Sequence, residues 1–575
     1  MDNLQISQIF RDIAKILEIK GENPFRIRAY EKAAQNIEGL TDDITVYIKE
    51  DRLTDIPGIG KDLSEKIKEF ISTGRIKAYE ALKKTVPEGI LDLLKIPSIG
   101  PKTARLLYEQ LKINNVDDLE KAIKQGRLKG IFGIKEKTIE NISKGIELFK
   151  KGRERMTLAQ AIQVADEFIN NLKKIGGVKK ITPAGSLRRQ KETVRDIDIL
   201  IISESPKKIM DAFVRVPSVK EILAKGQTKA SVRTKDDVQV DCRVEKEESF
   251  GAALLYFTGS KNFNIKLRMI AQRMGLKINE YGIFKGDVYI AGKTEEEMFK
   301  ALGLSYIEPE LREDTGEIEL AKENKLPDLI ELKDIKGDLH VHSNFSDGTN
   351  TIEEIVKAAQ ARNYSYIAIT DHSQGLKVAG GLSPKELARK RLEIDRINKN
   401  LKGFKVLYAT EVDIDSQGRL DYPDSILKEF DVVVAAIHAG FKQSKEQLSR
   451  RLIKACMNKY VNIIAHPTGR LWGVRQGYDL DFTEVFKVAR ETNTFLEINS
   501  FPNRLDLNDL NSRRAKEAGV KLVISTDAHN IEQLDAIQLG VAVARRGWLE
   551  DKDVINTLNL EDFFKTIREG KGVRS

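Results

Sequence analysis

Residues 337–348 read GDLHVHSNFSDG: a short apolar run that ends on two histidines, His340 and His342, followed by a Ser-Asp-Gly turn. Six more apolar runs follow at regular intervals: YIAIT (366–370), KVLYA (405–409), VVVAAI (432–437), VNIIA (461–465), FLEIN (495–499) and KLVIST (521–526). Helical segments such as TIEEIVKAAQAR and KEQLSRRLIKACMN lie between them. Strands alternating with helices predict a parallel sheet, and seven such units predict one that closes into a barrel.

All six histidines of the chain lie in this region, and most stand at strand ends. HVH carries His340 and His342, ITDH carries His372, AAIH carries His438, IIAH carries His466, and STDAH carries His529. The run VLYATEVD adds Glu411, and the turn after the first strand adds Asp347. In a parallel barrel every C-terminal strand end faces the same side, so ligands distant in sequence converge on one pocket. A lone histidine is ordinarily a packing or surface residue; six at successive strand ends read as metal ligands. So many nitrogen and oxygen donors exceed the needs of one tetrahedral ion, which implies two or three. With no thiolate in the set, Zn²⁺, Mn²⁺ and Fe²⁺ all remain suitable. Arg470, just after His466, is a candidate phosphate holder or a plain surface arginine.

GDLHVHSNFSDG, ITDH, TEVD, IHAG, AHPTGR and STDAH together resemble the polymerase and histidinol phosphatase (PHP) superfamily over about 337–570. The resemblance implies a distorted (β/α)7 barrel with a trinuclear site held by His340, His342, Asp347, His372, Glu411, His438, His466, Asp527 and His529. It also implies hydrolysis of phosphomonoesters or of DNA phosphodiesters.

Upstream, GSLRRQKETVRDIDILI (185–201) reads as a loop followed by a strand. Asp196 and Asp198 are two residues apart, so their carboxylates share one face of that strand. A further strand, VQVDCRV, can bring Asp241 beside them. Three converging carboxylates repel unless divalent cations neutralise them, and Mg²⁺ favours such oxygen ligands. Gly185 and Ser186 offer donors to phosphates, and Arg188 or Arg189 offers charge.

GSLRR, DIDIL, VDCRV and LLYFTGSKNFNIKLR occur in the order and spacing of family X DNA polymerases, and residues 1 to about 315 are similar to that family. The resemblance implies Asp196, Asp198 and Asp241 as the catalytic, metal-binding carboxylates with Mg²⁺ or Mn²⁺. It places Gly185, Ser186 and Arg189 on the triphosphate and Tyr256, Phe257 and Gly259 along the sugar. Asn264 would face the base edge and Arg268 the template. Gln239 and Lys261 depart from the residues that some members carry at the matching positions.

The N-terminal third reads as short amphipathic helices separated by Gly and Pro turns. DIPGIGKDLSEKIKEF (55–70) and KIPSIGPKTARLLYEQL (95–111) repeat one pattern, with a weaker third copy at 130–142. These loops look like helix-hairpin-helix motifs, with Gly58, Gly60 and Gly100 as the points of close approach to a DNA backbone. The second copy has Ser98 in place of the first glycine. The first 85 residues also resemble a domain that binds the 5′-phosphate of a gap, in which some members use a lysine as a Schiff-base lyase. Lys66 is the matching nucleophile, with Lys32 nearby by motif and Asp62 where a lysine is expected.

Composition agrees with this organisation. The 575 residues carry a net charge of +9, and residues 101–200 alone hold 22 basic against 13 acidic side chains. That concentration fits a polyanion surface, whereas 301–575 is nearly balanced at 40 against 43. No apolar run reaches membrane-spanning length, no signal-peptide plan opens the chain, and its two cysteines are unrelated. The expectation is a multidomain cytoplasmic enzyme, monomeric, without membrane association. Its segments are a lyase-like helical domain (1–85), helix-hairpin-helix fingers (86–150), an α+β nucleotidyltransferase palm (151–245), a nucleotide-selecting thumb (246–315), a linker (316–336) and the barrel (337–575). Its partners are gapped or nicked DNA and deoxynucleoside triphosphates. Its expected reactions are gap-filling DNA synthesis for base excision repair, and 3′–5′ exonuclease hydrolysis with candidate action at abasic sites. The alternatives are a barrel kept for structure or one acting on small phosphoesters.

Overall fold

The computed structural model describes residues 2–38, 44–49, 51–56, 58–87, 89–94, 96, 99–129, 131, 134 and 136–569. It divides into two compact units: residues 1–153 with the short loops 347–351 and 471–476, and the remainder.

The N-terminal unit is helical, as its periodicity predicts. Helices Asp2–Lys20, Pro24–Glu38 and Lys61–Thr73 close one core around Phe10, Tyr30, Ile37 and Ile67. Helices Pro101–Leu111 and Val116–Lys124 close a second around Leu93, Leu107 and Leu119. The two hairpin loops have the same backbone plan. Ile59 N–H donates to Ile56 C=O and Ile99 N–H to Ile96 C=O; Gly60 and Gly100 then cap the next helix. Pro57, Pro97 and Ser98 lie outside the described residues, as do four positions of the weaker third copy. The portion of that copy that is described keeps the pattern, with Ile134 N–H on Ile131 C=O.

The larger unit contains two sheets that carry chemistry. Its palm sheet consists of β1 (Val178–Pro183), β2 (Asp196–Ser203), β3 (Val219–Lys225), β4 (Lys229–Thr234) and β5 (Gln239–Glu245), in the order β1-β2-β5-β4-β3. The central pair β2–β5 is parallel and the other pairs are antiparallel. Alternation in β5 buries Val240, Cys242 and Val244 and turns Asp241 to the other face. The thumb region packs helices Phe250–Thr258 and Lys261–Arg273 with a three-stranded antiparallel sheet around Phe263, Met298 and Phe299.

The second sheet has seven strands, all parallel and in sequence order: β6 (Gly337–Val341), β7 (Tyr366–Ile369), β8 (Lys405–Asp413), β9 (Val432–Ala436), β10 (Ile463–Ile464), β11 (Phe495–Asn499) and β12 (Leu522–Ser525). All seven apolar runs of the sequence are therefore strands. The barrel closes just beyond the ends of its first and last strands. Asp527 N–H donates to His340 C=O at 2.9 Å, and His342 N–H to Ala528 C=O at 2.8 Å. Except for β8, whose ends are partly exposed, the strands are buried along their whole length, which is why they read as continuous apolar runs.

The stretch 316–336, expected to be an open linker, is packed. Helix Glu317–Glu323 buries Ile318 and Ala321, and Ile330 N–H donates to Leu549 C=O at 3.0 Å. Its apolar residues are too few and too irregular to show a period in sequence, yet Ile318, Ala321, Leu329, Ile330 and Ile335 are buried, while Leu332 stays exposed. Among the described residues no helix is long and apolar enough to cross a membrane.

Candidate active sites of the barrel and the palm

The ends of four barrel strands bring five histidines together around one carboxylate, Glu411 near the end of β8. His372 Nδ1 lies 2.8 Å from Glu411 Oε2; His466 Nε2 and His438 Nε2 lie 3.1 and 3.3 Å from Oε1. His340 Nε2 and His342 Nε2 stand 3.5 and 3.3 Å from Asp527 Oδ1. His342 and His529 stack with ring centroids 4.3 Å apart. Two groups, His340–His342–Asp527 and His372–Glu411–His438, each gather their donor atoms within 4.8 Å, the spacing of side chains that can share an ion. Asp347 is exposed in the turn after Ser346.

The donor set fits divalent metal. His340 Nε2 is buried and makes no hydrogen bond, facing Glu411 Oε2 and Asp527 Oδ1 at 3.5 Å each, a costly arrangement that a cation between them would relieve. His466 and Asp527 adopt positive φ values of 29° and 56°, and strain of this kind collects at functional sites. Protonation is divided among the rings. Burial, with His529 and His372 close by, pushes His342 down to about 4. His438, against the pull of burial, is carried up to about 9 by Glu411 and Asp413. Burial likewise opposes the charge on Glu411, but the surrounding imidazoles hold it well below the usual carboxylate range. This balance of fixed negative charge and borrowed protons is one that cations can replace.

Three residues that the sequence reading missed support this nest. Glu497 on β11 is buried; its Oε1 accepts from His340 Nδ1 at 2.7 Å, and its Oε2 accepts from His466 N–H at 2.7 Å. Asp413 Oδ1 stands 3.2 Å from His438 Nδ1. Arg504 Nε lies 3.3 Å from Asp527 Oδ2. Glu497 could have been found, because a carboxylate inside the buried run FLEIN needs a partner. Arg504 has no such signal. Below the nest, Lys390 Nζ pairs with Asp371 Oδ2 at 2.9 Å, both fully buried, and Asp371 accepts from Ser343.

Arg470, in sequence either a phosphate holder or a surface arginine, is taken up by protein groups. Its guanidinium forks onto Glu192 of the palm, at 2.9 and 3.2 Å, and also donates to the Arg504 carbonyl. After His466 the chain makes a turn, Gly469 N–H donating to His466 C=O at 2.9 Å, and Asp506 accepts the Thr468 N–H at 2.9 Å.

In the palm, parallel pairing sets Asp198 directly opposite Asp241 and Asp196 opposite Gln239. The three carboxylates lie on one face, and their mutual repulsion is visible. Burial, followed by Asp196 and Asp241, pushes Asp198 up to about 7. Gln239 donates to Asp241 Oδ2 at 2.9 Å, and Ser231 donates to Oδ1. Gly185 has φ +62°, and a Cβ there would stand 2.4 Å from Asp198 Oδ2, so no other residue fits this loop. Arg188 is committed to Glu295 and Thr258, whereas Arg189 donates from Nε to Glu313 at 3.1 Å and from Nη1 to the Thr258 carbonyl. Tyr256, Asn264 and Arg268 line one small cleft; Asn264 donates to the Tyr256 carbonyl at 2.7 Å. Phe257 turns instead beneath the Arg243 guanidinium, 4.3 Å from its ring centre.

In the helical unit, Lys66 Nζ is 2.5 Å from Asp62 Oδ1.

Four family descriptions match the chain: a helix-hairpin-helix domain at 1–76, a SAM-like helix-hairpin-helix tandem at 90–147, a DNA polymerase beta thumb at 253–313 and a PHP domain at 338–501. The chain is 41% identical over 98% of both lengths to the DNA polymerase/3'-5' exonuclease PolX of Bacillus subtilis (strain 168). A probable phosphatase of Thermoanaerobacter sp. (strain X514) is 29% identical across 38% of this chain and 89% of its own. Rat DNA polymerase lambda is 24% identical across 54% of this chain and 56% of its own. With near end-to-end similarity, palm carboxylates in register and a histidine nest at the barrel mouth, the chain belongs to the family X DNA polymerases that carry a C-terminal PHP domain.

Proposed function

We propose that this chain fills short gaps in DNA at its palm and removes nucleotides from DNA 3′ ends at the mouth of its barrel. The observation that carries this reading is the coexistence of a three-carboxylate centre in the palm and a carboxylate-and-histidine centre in the barrel, supported by the chain's similarity to a polymerase that is also an exonuclease. Hydrolysis confined to small phosphoesters is the second reading, favoured by the barrel's likeness to probable phosphatases.

In the palm, Asp196, Asp198 and Asp241 would hold Mg²⁺ or Mn²⁺, which supplies activation of the primer hydroxyl and charge relief at the phosphates. Gly185, Ser186 and Arg189 receive the triphosphate, Tyr256 and Gly259 bound the sugar, and Asn264 and Arg268 meet base and template. In the barrel, His340, His342, Asp347, His372, Glu411, His438, His466, Asp527 and His529 would hold two or three of Zn²⁺, Mn²⁺ or Fe²⁺, which supply Lewis acidity toward a phosphodiester. Arg504, beside Asp527, is placed to meet a phosphate oxygen. Gly58, Gly60 and Gly100 leave backbone N–H groups open to the DNA backbone; a Cβ at Gly60 or Gly100 would meet nothing within 4 Å. Lys66 acts in phosphate gripping, not as a lyase nucleophile.

The test is a paired assay with Mn²⁺ on 3′-labelled single-stranded DNA and on p-nitrophenyl phosphate. Stepwise release of mononucleotides from the 3′ end, with turnover of the small ester at least about tenfold slower, supports the reading. Rapid turnover of the small ester with intact DNA contradicts it.

A further inference from the structure

Arg546, the last residue of helix Ile537–Arg546 in the barrel domain, is almost fully buried against the palm. Its Nη1 donates to the backbone carbonyl of Arg189 at 2.7 Å and to Glu313 Oε1 at 3.1 Å, and its Nη2 pairs with Asp509 Oδ2 at 2.7 Å. Glu313 Oε1 is the same oxygen that accepts Arg189 Nε at 3.1 Å, and Lys191 Nζ approaches it to 3.6 Å. One carboxylate oxygen is therefore shared by three cations. Its neighbour Arg188 is differently placed: both its terminal nitrogens lie on Glu295, whose remaining capacity is taken by fully buried Arg312. Of the two arginines after Ser186, Arg188 is locked and Arg189 is held by a carboxylate that stays partly exposed.

We propose that Glu313 is a standby partner that holds Arg189 until a triphosphate arrives, and that the barrel-domain residue Arg546 is a positioning residue that makes this hold weak enough to exchange. A triphosphate must compete with Glu313 for the Arg189 guanidinium. The more of Glu313's charge is met by Arg546, the less it costs Arg189 to leave, because electrostatic attraction follows the net charge that remains. Arg546 also fixes the Arg189 backbone from behind, so the side chain swings without its loop moving. Burial works against charge on Glu313, yet Arg189, Arg546 and Lys191 keep it below the usual carboxylate range, so it remains an acceptor. The barrel domain thereby contributes to nucleotide affinity at a site in another domain, and this rests on the reading of Arg189 as a triphosphate ligand.

The experiment is steady-state insertion of one nucleotide into a one-nucleotide gap with Mg²⁺. It compares wild type, Arg546→Gln, Glu313→Gln, the double variant and Arg189→Ala, with melting curves for each. Arg546→Gln is expected to raise the KM for the nucleotide roughly tenfold with kcat nearly unchanged, and Glu313→Gln to lower it. The double variant should return to within about twofold of Glu313→Gln alone, because removing the competitor makes its counterion dispensable. Glu313→Gln leaves Arg546 intact, so its effect is readable even where Arg546→Gln melts early. A rise in KM for Glu313→Gln, or a double variant as impaired as Arg546→Gln, overturns the proposal. If Arg189→Ala raises KM and Arg546→Gln does not, the proposal alone fails; if Arg189→Ala has no effect, the reading of Arg189 fails with it.

Discussion

Glu497 Oε1 and His340 Nδ1 face each other at 2.7 Å in the buried floor of the barrel site, and the second oxygen of the same carboxylate accepts the His466 backbone N–H. An ionised carboxylate only accepts, so His340 donates from Nδ1 and presents Nε2 toward Glu411 and Asp527. A residue from β11 thus sets the tautomer of a candidate metal ligand on β6 and the position of another after β10.

Glu497→Gln keeps the shape but loses the charge that fixes this tautomer. Metal affinity of the barrel should fall about 10–100-fold, as it does when such supporting partners are removed elsewhere. Titration of metal-depleted protein with Mn²⁺, followed by calorimetry, measures this; unchanged affinity would show that Glu497 only fills space.

Asp371 and Lys390 form an ion pair with no exposed surface on either side, and Lys390 also donates to the Ile369 and Ala409 carbonyls. Asp371→Asn leaves the lysine charge buried without its counterion, a change that costs about 3–5 kcal/mol. The barrel's melting midpoint should drop by about 10 °C. A shift below about 2 °C in differential scanning calorimetry would mean that the lysine finds another partner.

Asp198 is the palm carboxylate whose proton competes with metal in the neutral range, since it is raised to about 7. Its ionised form binds the cation, so the Mg²⁺ concentration for half-maximal synthesis should be flat well above pH 7. It should rise about tenfold per unit below that. Measuring that concentration at pH 6, 7 and 8 decides; the same value at pH 6 and 8 contradicts the assignment.

The barrel was legible because its strands are buried nearly throughout and its candidate metal ligands carry rare side chains. Seven apolar runs became seven strands, and His340, His342, His372, His438 and His466 converge with Glu411 because parallel strands share one end. In the palm, alternation placed Asp196 and Asp198 on one face, and the motif VDCRV pointed to the strand that sets Asp241 opposite Asp198. What was not legible depends on tertiary contact. Arg470 reads like a phosphate ligand, but Glu192, 278 positions away, takes it. Arg504 and Arg546 look like any surface arginine in sequence, and only packing shows what they touch. The stretch 316–336 shows no period because its buried residues, Ile318, Ala321, Leu329, Ile330 and Ile335, fall at irregular intervals. Lys66 matches a motif whose chemistry its neighbour Asp62, one helical turn back, opposes.

The central claim is that one chain holds two independent DNA-processing centres. Its most direct test places Asp196→Ala and His340→Ala, both shown folded by melting, on one 3′-labelled gapped duplex, with and without nucleotides. Asp196→Ala should lose extension by at least about a thousandfold and keep 3′ shortening, and His340→Ala should do the reverse. Loss of both reactions in either folded variant would contradict the account.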